Sequence, residues 1–439
     1  MVNADVYFGD DFGQKIDLTV RIREILRNYP EGTSIFKEMV QNADDAGATE
    51  VNLCLDYRQH AATGLAYEKL GPFQGPSLLV HNNATFTDAD FQSIQRIGDS
   101  LKKDNSKGWK TGRFGVGFNS VYHVTDLPTF VSGSQLVFFD PQACHLPNVN
   151  PSNPGKMIDY ITRSDFVNKF PDQLSPFQCF GCNFTEPFSG TIFRLALRTV
   201  EQAQRSKLSH RAQTPAQMAE MLKEFADSLP TVLLFLRHVC KISIWEWRAG
   251  EETPAILQEA SLNNMTFEIK AKRSLQHATL ASYGQPAQEF STEGIICDYP
   301  LKVVARDCTA GLSKEYEYLI MNQLGGGECS KMACNPANVD QRLVPWGGVA
   351  VSTAADFTIG ATFGLAFCFL PLPTHTYLPV HVNGYFELSS NRRDIWFGEG
   401  LSGEGLLRAQ WNIALLRDVI APCYARVILH LANEQLMAS

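Results

Sequence analysis

Apolar and polar positions recur along the chain with two periods, and the clearest helical one runs through IFKEMVQNADDA, residues 35–46. At about 100° per residue, Ile35, Phe36, Met39, Val40, Ala43 and Ala46 gather on one sector, the expected core face. Lys37, Gln41 and Asp44 fall on the far side and read as solvated. Glu38, Asn42 and Asp45 form a third row along one flank of the apolar stripe, at i, i+4 and i+7. A helix that only meets solvent has no need of such a row. Thr33 or Ser34 is the expected N-cap and Gly47 the expected C′ residue.

A shorter amphipathic helix, Leu18–Asn28, precedes it and is stopped by Tyr-Pro-Glu-Gly. Strands are expected at VNLCLDY (51–57), SLLVHN (77–82), SGTIFRLALR (189–198) and KISIWEW (241–247). A Gly/Pro-rich loop at 70–76 leads into the second of these, and FTDADFQSIQRIG (86–98) reads as a helix opened by Thr87. Residues 99–112, DSLKKDNSKGWKTG, are polar and long for a loop, a candidate lid. EQAQRSKLSHRAQTPAQ (201–217) is the most polar connection and sets the expected boundary between domains 1–205 and 206–439. A helix at 216–229 opens the second half, which is strand-rich to about residue 385 and ends in a helix at 407–436. The fold class is α/β, a mixed-sheet sandwich followed by a second α/β domain.

With 44% hydrophobic and 19% charged residues the chain has the apolar mass for real cores. A formal charge of −8 argues against duplex DNA or RNA as a partner but leaves a nucleotide ligand open. No apolar run approaches the ~18 residues of a membrane span, and MVNADVYFGDDFGQ lacks the basic start and apolar core of a secretory leader. Eleven scattered cysteines, several in apolar surroundings, suit reduced thiols in a cytoplasmic protein. The one CxxC, Cys179 and Cys182, has no second pair at zinc-finger spacing.

Gly112, Gly115 and Gly117 in GRFGVGFNSVYH lie between the polar lid and an expected helix start. Such a loop lets backbone N–H groups approach phosphate oxygens. It is not GxxxxGK[ST], so a P-loop is excluded. On the opening helix, Asn42 can offer an amide oxygen to magnesium, and Glu38 can orient or deprotonate a water attacking a phosphate. Asp45 can hold a hydrogen bond at the other end of a ligand. The alternative for this row is a polar face that caps neighbouring loops. His81 and His123 flank the motifs without a Cys or Ser partner and read as structural, and Gly325-Gly326-Gly327 reads as a flexible turn.

These motifs resemble the GHKL ATPases and, within them, the ninety-kilodalton heat-shock chaperones. EMVQNADDA is similar to the family's first box, placing Glu38, Asn42 and Asp45. GRFGVGFNS is similar to the phosphate box, here Gly112, Arg113, Phe114, Gly115, Val116, Gly117 and Phe118. SGTIFRL resembles the late strand whose threonine lies by the adenine, here Thr191. A more extended resemblance, to the sacsin-type repeat regions, runs through FGQKIDLTVRIREIL, NNATFTDADF, GRFGVGFNSVYHVTDLP and LPVHVNGYFELSSNRRDIW. It covers nearly the whole chain, in order.

The resemblance implies a Bergerat-type two-layer sandwich at 1–205 and a chaperone-middle-like domain at 206–439. It implies ATP and magnesium as cofactors, with Asn42 as the magnesium ligand. It also implies a terminal-phosphate arginine from the second domain, Arg392 or Arg393; in the lid, Lys102 and Lys103 can reach phosphates, with simple solvation as the alternative reading. Implied partners are non-native client polypeptides, the seventy-kilodalton heat-shock system and other copies of the chain. One segment departs from the pattern. In VHNNATF, Asn82 stands where the family's adenine-binding aspartate is usual, and Ala84 and Phe86 stand near its glycines. Losing that charge costs on the order of 1 kcal/mol. Two functions therefore stay open: a chaperone-type module that binds and slowly hydrolyses Mg-ATP, or a nucleotide-degenerate scaffold and client-binding module.

Overall fold

The structure, a computed structural model, describes residues 17–28, 31–95, 117–273, 294–354, 363–389, 393–398 and 402–438. The first half runs α1 (Leu18–Asn28), α2 (Ser34–Asp45), β1 (Glu50–Asp56), β2 (Ser77–Asn82), α3 (Asp88–Ile94) and a 3₁₀ turn at Gly117–His123. It continues with β3 (Thr129–Gly133), β4 (Gln135–Phe139), β5 (Gly155–Asp159), α4 (Ser164–Lys169), α5 (Pro171–Leu174), β6 (Phe188–Ala196) and α6 (Val200–Arg205). Then come α7 (Pro215–Val232), β7 (Lys241–Trp247), β8 (Ala255–Leu262), β9 (Ile295–Asp307) and β10 (Leu312–Leu324). Four strands follow: β11 (Trp346–Ser352), β12 (Leu365–Cys368), β13 (Leu370–His375) and β14 (Val380–Gly384). Helices Glu404–Leu415 and Ala421–Ala438, joined by a π turn at Leu416–Ile420, fill the stretch expected as one terminal helix.

The fold is mixed α/β. Fourteen strands form one sheet in the order β13-β12-β14-β11-β10-β9-β8-β7-β1-β2-β6-β3-β4-β5. Among the described residues, β1–β7 and β12–β14 pair parallel and the other ladders are antiparallel. The β1–β7 ladder, Glu50↔Lys241 to Asp56↔Trp247, carries the sheet across the polar connection at 201–217.

Side chains alternate between the sheet's faces. Val51, Leu53, Leu55, Leu78 and Val80 join the core under α1, α2 and α7, while Cys54 and Leu79 join a second core. That second core lies beneath the 3₁₀ turn Glu68–Phe73, α5 and the segment holding Phe177, Cys179, Cys182 and Phe184. Burial on both sides explains why Leu78, Leu79 and Val80 are all apolar rather than alternating. Further along, Leu319 and Met321 of β10 pack with Trp411, Leu415 and Val427, while Ile320 faces the core shared with α7.

Accumulated twist brings the far end of this sheet round to the first helices. Phe367 and Leu370 share a core with Phe36 and Val51, and α7 touches β1, β7, β8, β9 and β13. Phe36 packs on Phe225 of α7 at 5.4 Å, and Phe235 meets Phe367 edge-on at 5.0 Å. Thr87, Thr199 and Thr214 each open a helix with a complete capping box.

The glycine run differs from its expectation. Gly325, Gly326 and Gly327 have φ of +83°, +145° and +42°, and the last two lie against Asp418. Asp418 Oδ2 accepts the N–H groups of Glu328 and Cys329, capping the helix Gly327–Cys334. The run is a close-packed helix start rather than a flexible turn, because only glycine lets the backbone lie this near that carboxylate. Among the described residues, no helix is long and apolar enough to cross a membrane.

Candidate functional site

α2 buries Ile35, Phe36, Met39, Val40 and Ala43 as its periodicity predicts, while Ala46 is exposed. Thr33 is the N-cap residue, without a side-chain cap bond, and Gly47 follows the helix at φ +81°. The polar row sits beside the stripe, with Glu38 and Asn42 half-buried. Gly117 lies directly against Glu38, since a Cβ there would fall 1.9 Å from Oε2. The first box and the end of the glycine loop therefore meet. Of the remaining phosphate-box residues, Phe118 packs its ring against Phe139 and Phe193 at 5.5 and 5.7 Å. Lys102, Gly112, Arg113, Phe114, Gly115, Val116 and Arg392 lie outside the described residues.

Asp45 is committed elsewhere. Its side chain is 3% exposed and its Oδ1 accepts from the Arg237 guanidinium. Asp44, placed on the solvated side by the helical wheel, is 2% exposed. It accepts from the backbone N–H of Arg237 (3.1 Å), His238 (2.7 Å) and Val239 (2.9 Å), and from Arg237 Nε (3.4 Å). The correction has a tertiary cause: the α7–β7 connection lies across this side of α2. Burial alone would lower the Arg237 pKa, but Asp45, Tyr385 and Asp44 outweigh it and hold the guanidinium charged. A charged residue in the apolar run LLFLRHV was the available sequence signal.

Lys37 is also drawn in. Its Nζ donates to the Pro371 carbonyl of β13 at 3.0 Å. Burial lowers its pKa; the Glu224 charge opposes this, and the Arg393 charge adds a smaller lowering. Arg393 itself is exposed. The charge of Arg393, from the second half, is thus felt at Lys37 of α2.

At the opposite end, Asn82 is 6% exposed and pairs in register with Thr191. Asn82 Oδ1 accepts from the Ala84 N–H at 3.0 Å. Thr191 is fully buried, and its hydroxyl donates to the Ala84 carbonyl at 2.7 Å and meets Ser132 Oγ at 2.8 Å. Ser132 Oγ also accepts the Phe86 N–H at 2.9 Å. Phe86 turns into the core, its ring 5.2 Å from Phe91 and 5.1 Å from Phe130. The groups that the resemblance assigns to adenine are thus bonded within the chain, and Thr191 offers no surface.

Arg198, missed in the sequence, anchors the 3₁₀ turn. It is 1% exposed, donates to the Tyr122 and His123 carbonyls, and pairs with Asp126 at 2.7 Å. His81 is packed in the core, as expected, and Cys179 and Cys182 are both buried. His81 Nδ1 lies 2.9 Å from Asn52 Nδ2, its ring stacks on Phe180 at 4.8 Å, and burial lowers its pKa to about 4. Burial raises the Cys182 thiol to about 12. All eleven cysteines are thiols outside any disulfide.

A family model described as "Sacsin domain" matches residues 15–259. Human Sacsin is 35% identical over 433 residues, which are 97% of this chain and 9% of that protein's length. A solved structure described as the N-terminal domain of a DNA repair protein aligns over 92% of this chain and 97% of its own, at 9% identity. Its TM-score is 0.36, too low to argue from. The family model's match to more than half the chain, together with this identity along nearly all of it, means that the chain belongs to the sacsin domain family.

Proposed function

We propose that this chain is a chaperone-related scaffold and client-binding module of the sacsin type, keeping a nucleotide-domain architecture with its base site closed. One observation carries the reading: Thr191 has no exposed surface, and its hydroxyl is bonded to Ala84 and Ser132. A base reaching Thr191 would first have to lift residues 83–87 and break the Ala84 and Phe86 hydrogen bonds, at about 1 kcal/mol each. The sacsin-type resemblance extends the proposal to non-native polypeptides, the seventy-kilodalton heat-shock chaperones and self-association as partners, acting in the cytoplasm.

Calorimetric titration with Mg-ATP and with ADP tests it. The scaffold reading expects no heat of binding at millimolar nucleotide; micromolar Mg-ATP binding overturns it. A second reading, a slow Mg-ATP hydrolase whose base end opens, is favoured by Glu38 lying against Gly117 and by Arg393 near Lys37. For that reading, Glu38→Ala should abolish turnover and spare binding.

A further inference from the structure

The connection leaving β4 folds back on itself through Asp140, Cys144 and His145. A carboxylate oxygen of Asp140, Sγ of Cys144 and a ring nitrogen of His145 all lie within 4.8 Å of one another. Ala143, at φ +51°, turns the chain, and its N–H donates to the Asp140 carbonyl at 2.8 Å. Asp140 is fully buried, and its Oδ2 accepts the N–H groups of His145 (2.7 Å) and Leu146 (3.0 Å). Its Oδ1 is also buried and has no hydrogen-bond partner among the described residues. An ionised carboxylate left this way is costly unless something charged or hydrogen-bonding meets it.

We propose that Asp140, Cys144 and His145 form a binding site for a divalent zinc-class cation. The donor set decides the class: sulfur, imidazole nitrogen and carboxylate oxygen together suit zinc, whereas magnesium and calcium take oxygen. Charge agrees as well. The carboxylate and the Cys144 thiolate carry two negative charges against the ion's two positive ones. On binding, the Cys144 S–H bond breaks, sulfur keeps the electron pair and donates it to the metal, and the proton leaves to solvent.

Tetrahedral zinc bonds of about 2.0–2.3 Å place ligand atoms roughly 3.3–3.8 Å apart, so closure from within 4.8 Å needs a movement of at most about 1.5 Å. Cys144 is exposed and able to supply it, and water completes the fourth position. Around the site, the Phe73 ring meets His145 edge-on at 5.0 Å, and Gln142 Nε2 lies 3.4 Å from His145 Nε2. Gln142 Oε1 accepts the Lys207 N–H, and Lys69 Nζ donates to the Cys144 carbonyl. Such a metal clips the exit of β4 to the wall of the second core, where Leu146 is buried. The site is independent of any nucleotide.

The test is a titration of the untagged, reduced 439-residue chain with cobalt(II) chloride, followed by competition with zinc. The expected result is one cobalt per chain, a thiolate-to-cobalt charge-transfer absorption, and its loss on adding zinc. Cys144→Ser should remove the absorption, and Cys144→Ser and His145→Ala should each weaken zinc binding about tenfold or more. Removing outer-shell partners alone typically costs that much. Absence of the absorption in the wild type overturns the proposal. So does zinc affinity unchanged in Cys144→Ser, which would assign the metal to other exposed thiols such as Cys308 or Cys334. Asp140→Asn would disturb a buried loop, so the Cys144 and His145 variants carry the test.

Discussion

Replacing Asp44 by alanine separates the helical-wheel view of α2 from its tertiary environment. On the wheel Asp44 is a solvated residue, and such substitutions usually change stability by no more than about 0.5 kcal/mol. In the folded protein its carboxylate receives three backbone N–H groups and Arg237 Nε. Each buried donor left without an acceptor costs about 1–3 kcal/mol. Val239 is fully buried, whereas Arg237 is half-buried and His238 exposed, so water can reach part of their loss. Arg237 retains Asp45. The expected cost of Asp44→Ala is therefore about 4 kcal/mol, roughly a thousandfold in the folded-to-unfolded ratio. Asp44→Asn keeps one acceptor oxygen and should lose about 1–2 kcal/mol. Urea unfolding followed by fluorescence and by far-ultraviolet dichroism measures both variants against wild type. A loss below about 1 kcal/mol in Asp44→Ala would refute the assignment of this carboxylate as the anchor of residues 237–239.

Acid should weaken the fold through His81, whose folded pKa is lowered by burial from 6.5 to about 4. Above pH 6.5 both states are neutral; as pH falls towards 4 only the unfolded state gains the proton, so about 3 kcal/mol is lost across that window. Urea midpoints for wild type and His81→Gln between pH 7 and 4 check this, and an identical acid slope in the two would contradict it. Gly326→Ala places a Cβ 2.4 Å from the Asp418 carbonyl oxygen at φ +145°, and about 2–4 kcal/mol should disappear in thermal unfolding.

Much of this architecture is local and was legible in the sequence. Apolar spacing and a proline stop define α1, and a left-handed glycine ends α2. β2 carries an apolar run, β7 mixes polar and apolar positions in a strand-length segment, and Thr87 signals its helix. The row Glu38, Asn42, Asp45 was visible for the same reason, since i, i+4 and i+7 positions share a face whatever surrounds the helix. The tertiary structure alone decided what those faces meet. Periodicity reports that a side chain points away from the core stripe, not that water lies there. Here the coiled sheet and the α7–β7 connection return over α2, so Asp44 and Asp45 meet Arg237, and Lys37 meets β13. The same holds at Asn82: residue type allowed either a base or the chain's own backbone as partner, and the path of residues 83–87 over Thr191 chose the backbone.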